Sequence, residues 1–122
     1  MGLFTSNRRK LNWENLEDEN SLKEAISADG LKVFFKHSTR CSISSMALNQ
    51  FESSWREENK CKLFFIDLIR NRSVSTLLSE LSGIEHQSPQ VLLMEGESVL
   101  YNASHGAISA NEIKKITDDK NS

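Results

Sequence analysis

The sequence predicts an α/β fold, a mixed four-stranded sheet of two parallel and two antiparallel strands flanked by helices. Three observations carry this. Two apolar runs, 31–36 and Cys61–Asp67, are separated by a stretch of helical periodicity, which is the pattern of a β-α-β unit. Two further runs flank Gly96 and read as a hairpin. Capping motifs of the Ser-x-x-Glu type stand near both ends of the chain, before helical spacing.

The elements follow in order. Trp13 and Leu16 precede a capping box, Ser21-Leu22-Lys23-Glu24, expected to open a short helix ending near Asp29-Gly30. The first strand covers 31–36. After Cys41, the residues Ile43, Met46, Ala47, Gln50, Phe51 and Ser54 recur at helical spacing and predict one mostly apolar face, through to about Glu58. Cys61–Asp67 is a continuous apolar run, as expected of a central strand covered on both sides. Ser73 is placed to cap a helix with Val74, Leu77, Leu78 and Leu81 inward, closed by Gly83. Gln90–Glu95 and 98–103 form the hairpin, and Ser109-Ala110-Asn111-Glu112 starts a last helix carrying Ile113 and Ile116. The order α-β-α-β-α-β-β-α, with a cysteine after the first strand and a proline before the third, is that of the thioredoxin-like fold. One such domain is expected over 1–122, with a short flexible N-terminus and a C-terminal tail.

Composition narrows the function. The chain has 122 residues, 26% charged and 38% hydrophobic, so it has length enough for a core without disulfide or metal staples. A net charge of −2 argues against a nucleic-acid or membrane surface as partner. Two cysteines, Cys41 and Cys61, are too few for a secreted disulfide framework and fit a reducing compartment, so a cytoplasmic location is expected. Arg8-Arg9 lacks the apolar run that a twin-arginine signal requires. Met1-Gly2 with Ser6 matches a myristoylation pattern, and Asn102-Ala103-Ser104 a glycosylation sequon; both motifs are short and recur by chance. The longest apolar run, 63–66, is far too short to span a bilayer.

Cys41 is the candidate nucleophile. A thiol at a helix N-terminus faces the positive end of the backbone dipole and unpaired N–H groups, both of which favour thiolate. Its neighbours Arg40, Ser42 and Ser44 are polar, and it follows the carboxyl end of a strand, where open α/β sheets place their sites. Ser44 stands where a dithiol enzyme carries its second cysteine, so the site would work with one sulfur. Cys61 begins the next parallel strand, which puts the two thiols at opposite edges of the sheet, ~20 Å apart for a strand of about six residues. A disulfide needs Cα atoms within ~7 Å. Cys61 is therefore expected in the core.

Pro89 is the one proline of the chain. In thioredoxin-like folds a cis-proline at this point lies beside the active sulfur and leaves the preceding backbone, here that of Ser88, free to pair with a bound thiol. His37, His86 and His105 all fall at the edge expected for Cys41, but their spacing matches no zinc pattern and no metal site is expected. His37 is a candidate to support the thiolate or shuttle a proton. His105-Gly106 is a candidate ligand contact, since glycine permits close backbone approach. Lys36, Arg70 and Arg72 read either as solvated charge or as attraction for an anionic thiol, and Trp13 and Trp55 as packing anchors.

With 34–44 and His86-Gln87-Ser88-Pro89-Gln90 in view, the chain resembles the monothiol bacilliredoxins of the bacillithiol system, the YtxJ-like family. The likeness spans nearly the whole length, including Trp13-Glu14-Asn15-Leu16 and the Gly96 hairpin. That family typically shows threonine, cysteine, proline, isoleucine and serine around the nucleophile; here Arg40 follows Thr39, and Ser42 replaces the proline. The resemblance implies a thiol–disulfide oxidoreductase. Cys41 would take bacillithiol from mixed disulfides on cytosolic proteins, supported by Arg40, Ser42, Ser44 and His37. Thr39, Ser88, Pro89, His105 and Gly106 would bind the small thiol or substrate. Bacillithiol would be a co-substrate, with no tightly bound cofactor. Two other readings fit the same residues: a glutaredoxin-like iron–sulfur carrier, and a thioredoxin-like binding module without activity.

Overall fold

The computed structural model describes residues 11–56 and 60–121. Met1-Gly2, Ser6, Arg8-Arg9, the expected flexible N-terminus and the expected helix end at Glu58 lie outside the described residues.

A five-stranded sheet runs in the order β1-β3-β2-β4-β5, built from β1 (Glu14–Asn15), β2 (Leu31–His37), β3 (Cys61–Asp67), β4 (Gln90–Glu95) and β5 (Ser98–Ser104). The helices are α1 (Glu19–Ser27), α2 (Ser42–Ser54), α3 (Arg72–Ser82) and α4 (Ala110–Asn121), with a 3₁₀ turn at His105–Ala107. β2 and β3 pair in parallel in the register Leu31↔Cys61 to His37↔Asp67, and β4 pairs antiparallel with both β2 and β5. The expected four-stranded sheet is corrected by β1, which pairs in parallel with β3 at Glu14↔Phe64. Two residues are too few to leave an alternation pattern in sequence.

β2 is the central strand and is buried along its whole length. Phe34 faces α1 and α3 in a core with Leu22, Ile26, Val74, Leu78 and Leu92. Val33 and Phe35 face α2 and α4 in a second core with Leu48, Phe51, Leu93 and Ile113. Strand alternation separates these sets. Trp13 completes the second core as the anchor expected: its ring meets Phe35, Phe51 and Phe65 at 5.7–5.8 Å between centroids, and its Nε1 donates to Glu52 Oε2 at 2.8 Å. Trp55 stacks on Phe51.

Several local expectations are corrected. The α1 capping box is Asp18 with Ser21, one turn before the Ser21-Glu24 box: Ser21 N donates to Asp18 Oδ1 at 2.7 Å, and Asp18 N to Ser21 Oγ. A carboxylate is the stronger acceptor, and it meets the positive helix end. β3 lies inside the sheet between β1 and β2 with Phe64, Phe65 and Ile66 buried, as expected, but its first residues, Cys61 to Leu63, are partly or fully exposed. α2 ends at Ser54, and its buried face is Ser44, Ala47, Leu48, Phe51 and Glu52, which leaves Ile43 and Met46 58% and 62% exposed. The apolar spacing misplaced that face because two of the residues on it, Ser44 and Glu52, are polar and hydrogen-bonded inside. Ser73 is not the α3 cap; Asn71 holds that position, and Leu81 is exposed. Gly83 closes α3 in the left-handed region as expected, with φ 75°. Ser109 Oγ accepts from Glu112 N at 3.2 Å at the start of α4, which continues to Asn121 through the residues expected as a tail.

Phe35 is fully buried against three aromatic rings. Phe35→Ala is expected to cost about 3–5 kcal/mol of stability, read from urea unfolding.

Candidate functional site

The turn after β2 delivers Cys41 to the N-cap of α2. Cys41 is extended (φ −112°, ψ 120°), its carbonyl accepts from Ser45 N at 3.1 Å, and its own N–H donates to Ser38 O at 3.2 Å. The sulfur makes no capping hydrogen bond, the first turn of α2 holds no acidic residue, and the thiol is free and partly exposed. The N–H groups of Ser42, Ile43 and Ser44 have no preceding helical turn to accept them, so the field of the helix end falls where the thiol sits.

Ser44 does something other than expected. It is fully buried, its Oγ accepts from Ser38 N at 3.0 Å, and it lies 2.7 Å from His37 Nδ1. The hydroxyl thus ties the first turn of α2 to the end of β2, and no hydrogen bond joins it to Cys41. His37, also expected near the thiolate, is buried beside Phe65 with its Nδ1 engaged by Ser44. Thr39, Arg40 and Ser42 are exposed around the turn, and among the described residues Arg40 makes no ion pair.

The second wall comes from β4 and β5. The Ser88–Pro89 peptide is cis. Lys36 pairs with Gln90 across β2 and β4, which places Pro89 beside His37 at the sheet edge from which α2 departs. The Pro89 carbonyl accepts from His105 N at 3.0 Å. His105 itself is a non-glycine residue at φ 54°, exposed, in the 3₁₀ turn that packs against α2. Gly106 follows with open space where a Cβ would stand. Ser88 Oγ is buried with no hydrogen-bond partner among the described residues. Sequence position alone had brought Cys41, Ser88, Pro89, His105 and Gly106 to this edge. His37 and His86 are engaged by different partners, and among the described residues no group of three His, Cys, Asp or Glu side chains is arranged for a metal ion.

Cys61 is half-buried, against the core of α2 and α4, rather than fully enclosed. Burial pushes its thiol up to about 11. It opens β3 opposite Leu31, a full strand from the edge that carries Cys41.

Sequence reasoning missed the role of Lys36. Read from sequence as solvated charge or as attraction for an anionic thiol, it is instead 0% exposed, with Nζ 2.9 Å from Ser79 Oγ and 3.2 Å from His86 Nδ1. Burial pushes its ammonium down to about 8. The available signal was its spacing: Lys32 and Lys36 lie four apart in a strand, hence on one face, and that face also carries Phe34.

Fold and site together define a thioredoxin-fold protein with a single cysteine at the N-cap of α2. Solved structures agree on the fold. One described as an oxidoreductase with a thioredoxin fold is 22% identical, with TM-score 0.73, covering 83% of this chain and 89% of its own. Thioredoxin from Trypanosoma brucei brucei is 15% identical with TM-score 0.69 over 98% of this chain and 100% of its own. Oxidised thioredoxin from Plasmodium falciparum is 12% identical with TM-score 0.65 over 91% and 100%. The chain belongs to the family described as monothiol bacilliredoxin BrxC, which it matches over residues 14–113. Among the described residues, no helix is long and apolar enough to cross a membrane.

Two outcomes follow from this geometry. Ser44→Ala removes an acceptor from buried Ser38 N–H and a partner from His37, and is expected to cost about 1–3 kcal/mol in chemical denaturation. The native chain gives up the Lys36 proton near pH 8, the unfolded chain only near 10.5, so stability gained from Lys36 grows as pH rises between these values. Cys61 acts oppositely: its proton is held to about 11 in the native state but lost near 9.0 when unfolded, so stability falls across that interval. The two slopes oppose each other from pH 9.0 to 10.5, so in thermal melts Lys36→Met is expected to remove the rise that begins near pH 8 and leave a fall above pH 9.0, and Cys61→Ala to let the rise continue toward pH 10.5.

Proposed function

We propose that this protein is a monothiol thiol–disulfide oxidoreductase that removes bacillithiol from mixed disulfides on cytosolic proteins, with Cys41 as nucleophile. One observation carries the reading: a partly exposed, unpaired sulfur at the N-cap of α2, with no carboxylate in the first turn and a cis-proline segment ending beside the same edge. Family membership supports the chemistry.

The Cys41 thiolate attacks the bacillithiol sulfur of the protein's mixed disulfide. The old S–S bond breaks, the target cysteine leaves as thiolate and takes a proton from water, and Cys41 keeps bacillithiol in a new disulfide. A second bacillithiol thiolate attacks that disulfide, giving oxidised bacillithiol and free Cys41. Cys41 ends as it began, and the target thiol is regained at the expense of the second bacillithiol, which leaves in the oxidised pair. Cys61, a strand's length away and held protonated, offers no internal escape, which suits a one-sulfur cycle. The Ser88 backbone beside Pro89, with Thr39, His105 and Gly106, would line the incoming disulfide. Ile43 and Met46, apolar and exposed one and two turns into α2, give the protein half of the substrate a surface to rest on.

Intact-mass analysis after incubation with oxidised bacillithiol, and separately with oxidised glutathione, tests this. A single adduct on Cys41, stronger with bacillithiol and absent from Cys41→Ser, is expected. Equal labelling of Cys61, or no adduct with either disulfide, would defeat the reading.

A further inference from the structure

The segment between α3 and Pro89 carries no regular secondary structure, yet it is tied at several points. Gln90 Nε2 donates to Glu85 O at 2.9 Å, and Gln87 N to Gln90 Oε1 at 3.4 Å. Between these ties sits His86, whose Nδ1 lies 3.2 Å from Lys36 Nζ and 3.3 Å from Ser75 Oγ. An ammonium can only donate, so Nδ1 is the acceptor and the ring proton belongs on Nε2. Lys36 is fully buried and, among the described residues, has no carboxylate partner; its partners there are the Ser79 hydroxyl and this imidazole. A buried cation satisfied only by neutral acceptors is costly to keep. Its placement therefore calls for a role, and the only element outside α3 that it grips is the segment leading to Pro89.

We propose that Lys36 is a positioning residue for thiol exchange, acting through His86 to hold the segment 84–88, and with it Ser88 and Pro89, in the arrangement that the incoming disulfide meets. The inference rests on Cys41 being the exchange site proposed above. Its consequence is a dependence on pH that belongs to His86 rather than to the nucleophile. A proton on Nδ1 would set two cations 3.2 Å apart and break the contact. The charged groups acting on His86 are Lys36 from β2 and Arg72 from α3; both oppose protonation, as does burial, and all three push the imidazole down. Ser75 and Ser79 of α3 are neutral, and no carboxylate is among the groups that shift the ring. The contact therefore holds at neutral pH and opens in acid. On the alkaline side a neutral Lys36 amine still donates an N–H, so nothing is lost.

The test uses the full chain. Imidazole-resolved ¹⁵N NMR between about pH 5 and 8 is expected to show His86 as the Nε2–H tautomer, with a midpoint below 6.5. Lys36→Met is expected to erase the tautomer preference, raise the midpoint and shift the Ser88 and Gln90 amides. In removal of bacillithiol from a thiolated protein, with each rate divided by the Cys41 alkylation rate at the same pH so that the nucleophile's own titration cancels, Lys36→Met is expected to be about 10-fold slow at neutral pH and flat where the wild type declines in acid. His86→Asn keeps an acceptor for Lys36 without a titrating ring, so it should hold the neutral rate and lose the acid decline. Iodoacetamide alkylation of Cys41 should be unchanged in both variants. His86→Leu breaks the same contact at the surface and replaces Lys36→Met should that variant not fold. A wild-type His86 midpoint at or above 6.5, a wild-type neutral rate in Lys36→Met or His86→Leu, or an acid decline persisting in His86→Asn would overturn the proposal. Should no variant exchange thiols at all, the function reading fails, while the tautomer and amide shifts still decide whether Lys36 positions this segment.

Discussion

Burial of β2 on both faces is the constraint on which the rest of the molecule depends. A central strand has no water for its side chains, so each polar group on it must be satisfied by another element. β2 carries three such groups, and each ties down a different part of the fold. Lys32 Nζ donates to the carbonyls of Ile26, Ala28 and Gly96, joining the end of α1 to the hairpin turn. His37 meets Ser44 and so fixes the start of α2. Lys36 joins Ser79 to His86 and so fixes the approach to Pro89. The strand that builds both cores is also the one from which both walls of the site are hung.

The same parallel geometry gives the two thiols opposite environments. Cys41 leaves the carboxyl end of β2 and meets the exposed N-terminus of a helix; Cys61 enters at the amino end of β3 and meets apolar side chains. One is placed where negative charge is favoured, the other where burial opposes ionisation. Nothing in the local sequence of Cys61 announces this. The parallel β-α-β connection sets the two cysteines a strand apart, and the chemical contrast follows from that separation.

Much was legible along the chain because the deciding interactions are local. The helical spacing after Cys41, the Gly83 stop, the Gly96 hairpin and the Ser109 cap each depend on residues within a turn or two, and each is found in place. The assembly of Cys41, Ser88, Pro89, His105 and Gly106 at one edge followed from the order of strands, since strand direction alone decides which loops share an edge. The errors share a different origin. The buried face of α2 was displaced because Ser44 and Glu52 are polar residues that hydrogen-bond across the fold, to His37 and Ser38 and to Trp13. Strand β1 was unseen because its pairing partner lies 50 residues further on.

From the order of residues alone come the element types, the parallel and antiparallel pairings, and a sulfur at a helix start, because propensity, capping and strand alternation are written in neighbouring positions. The partners of Lys36, His37, Ser44 and Glu52 belong to the folded molecule. Whether a polar side chain is solvated or sealed depends on which distant group arrives to meet it, and only packing brings those groups together.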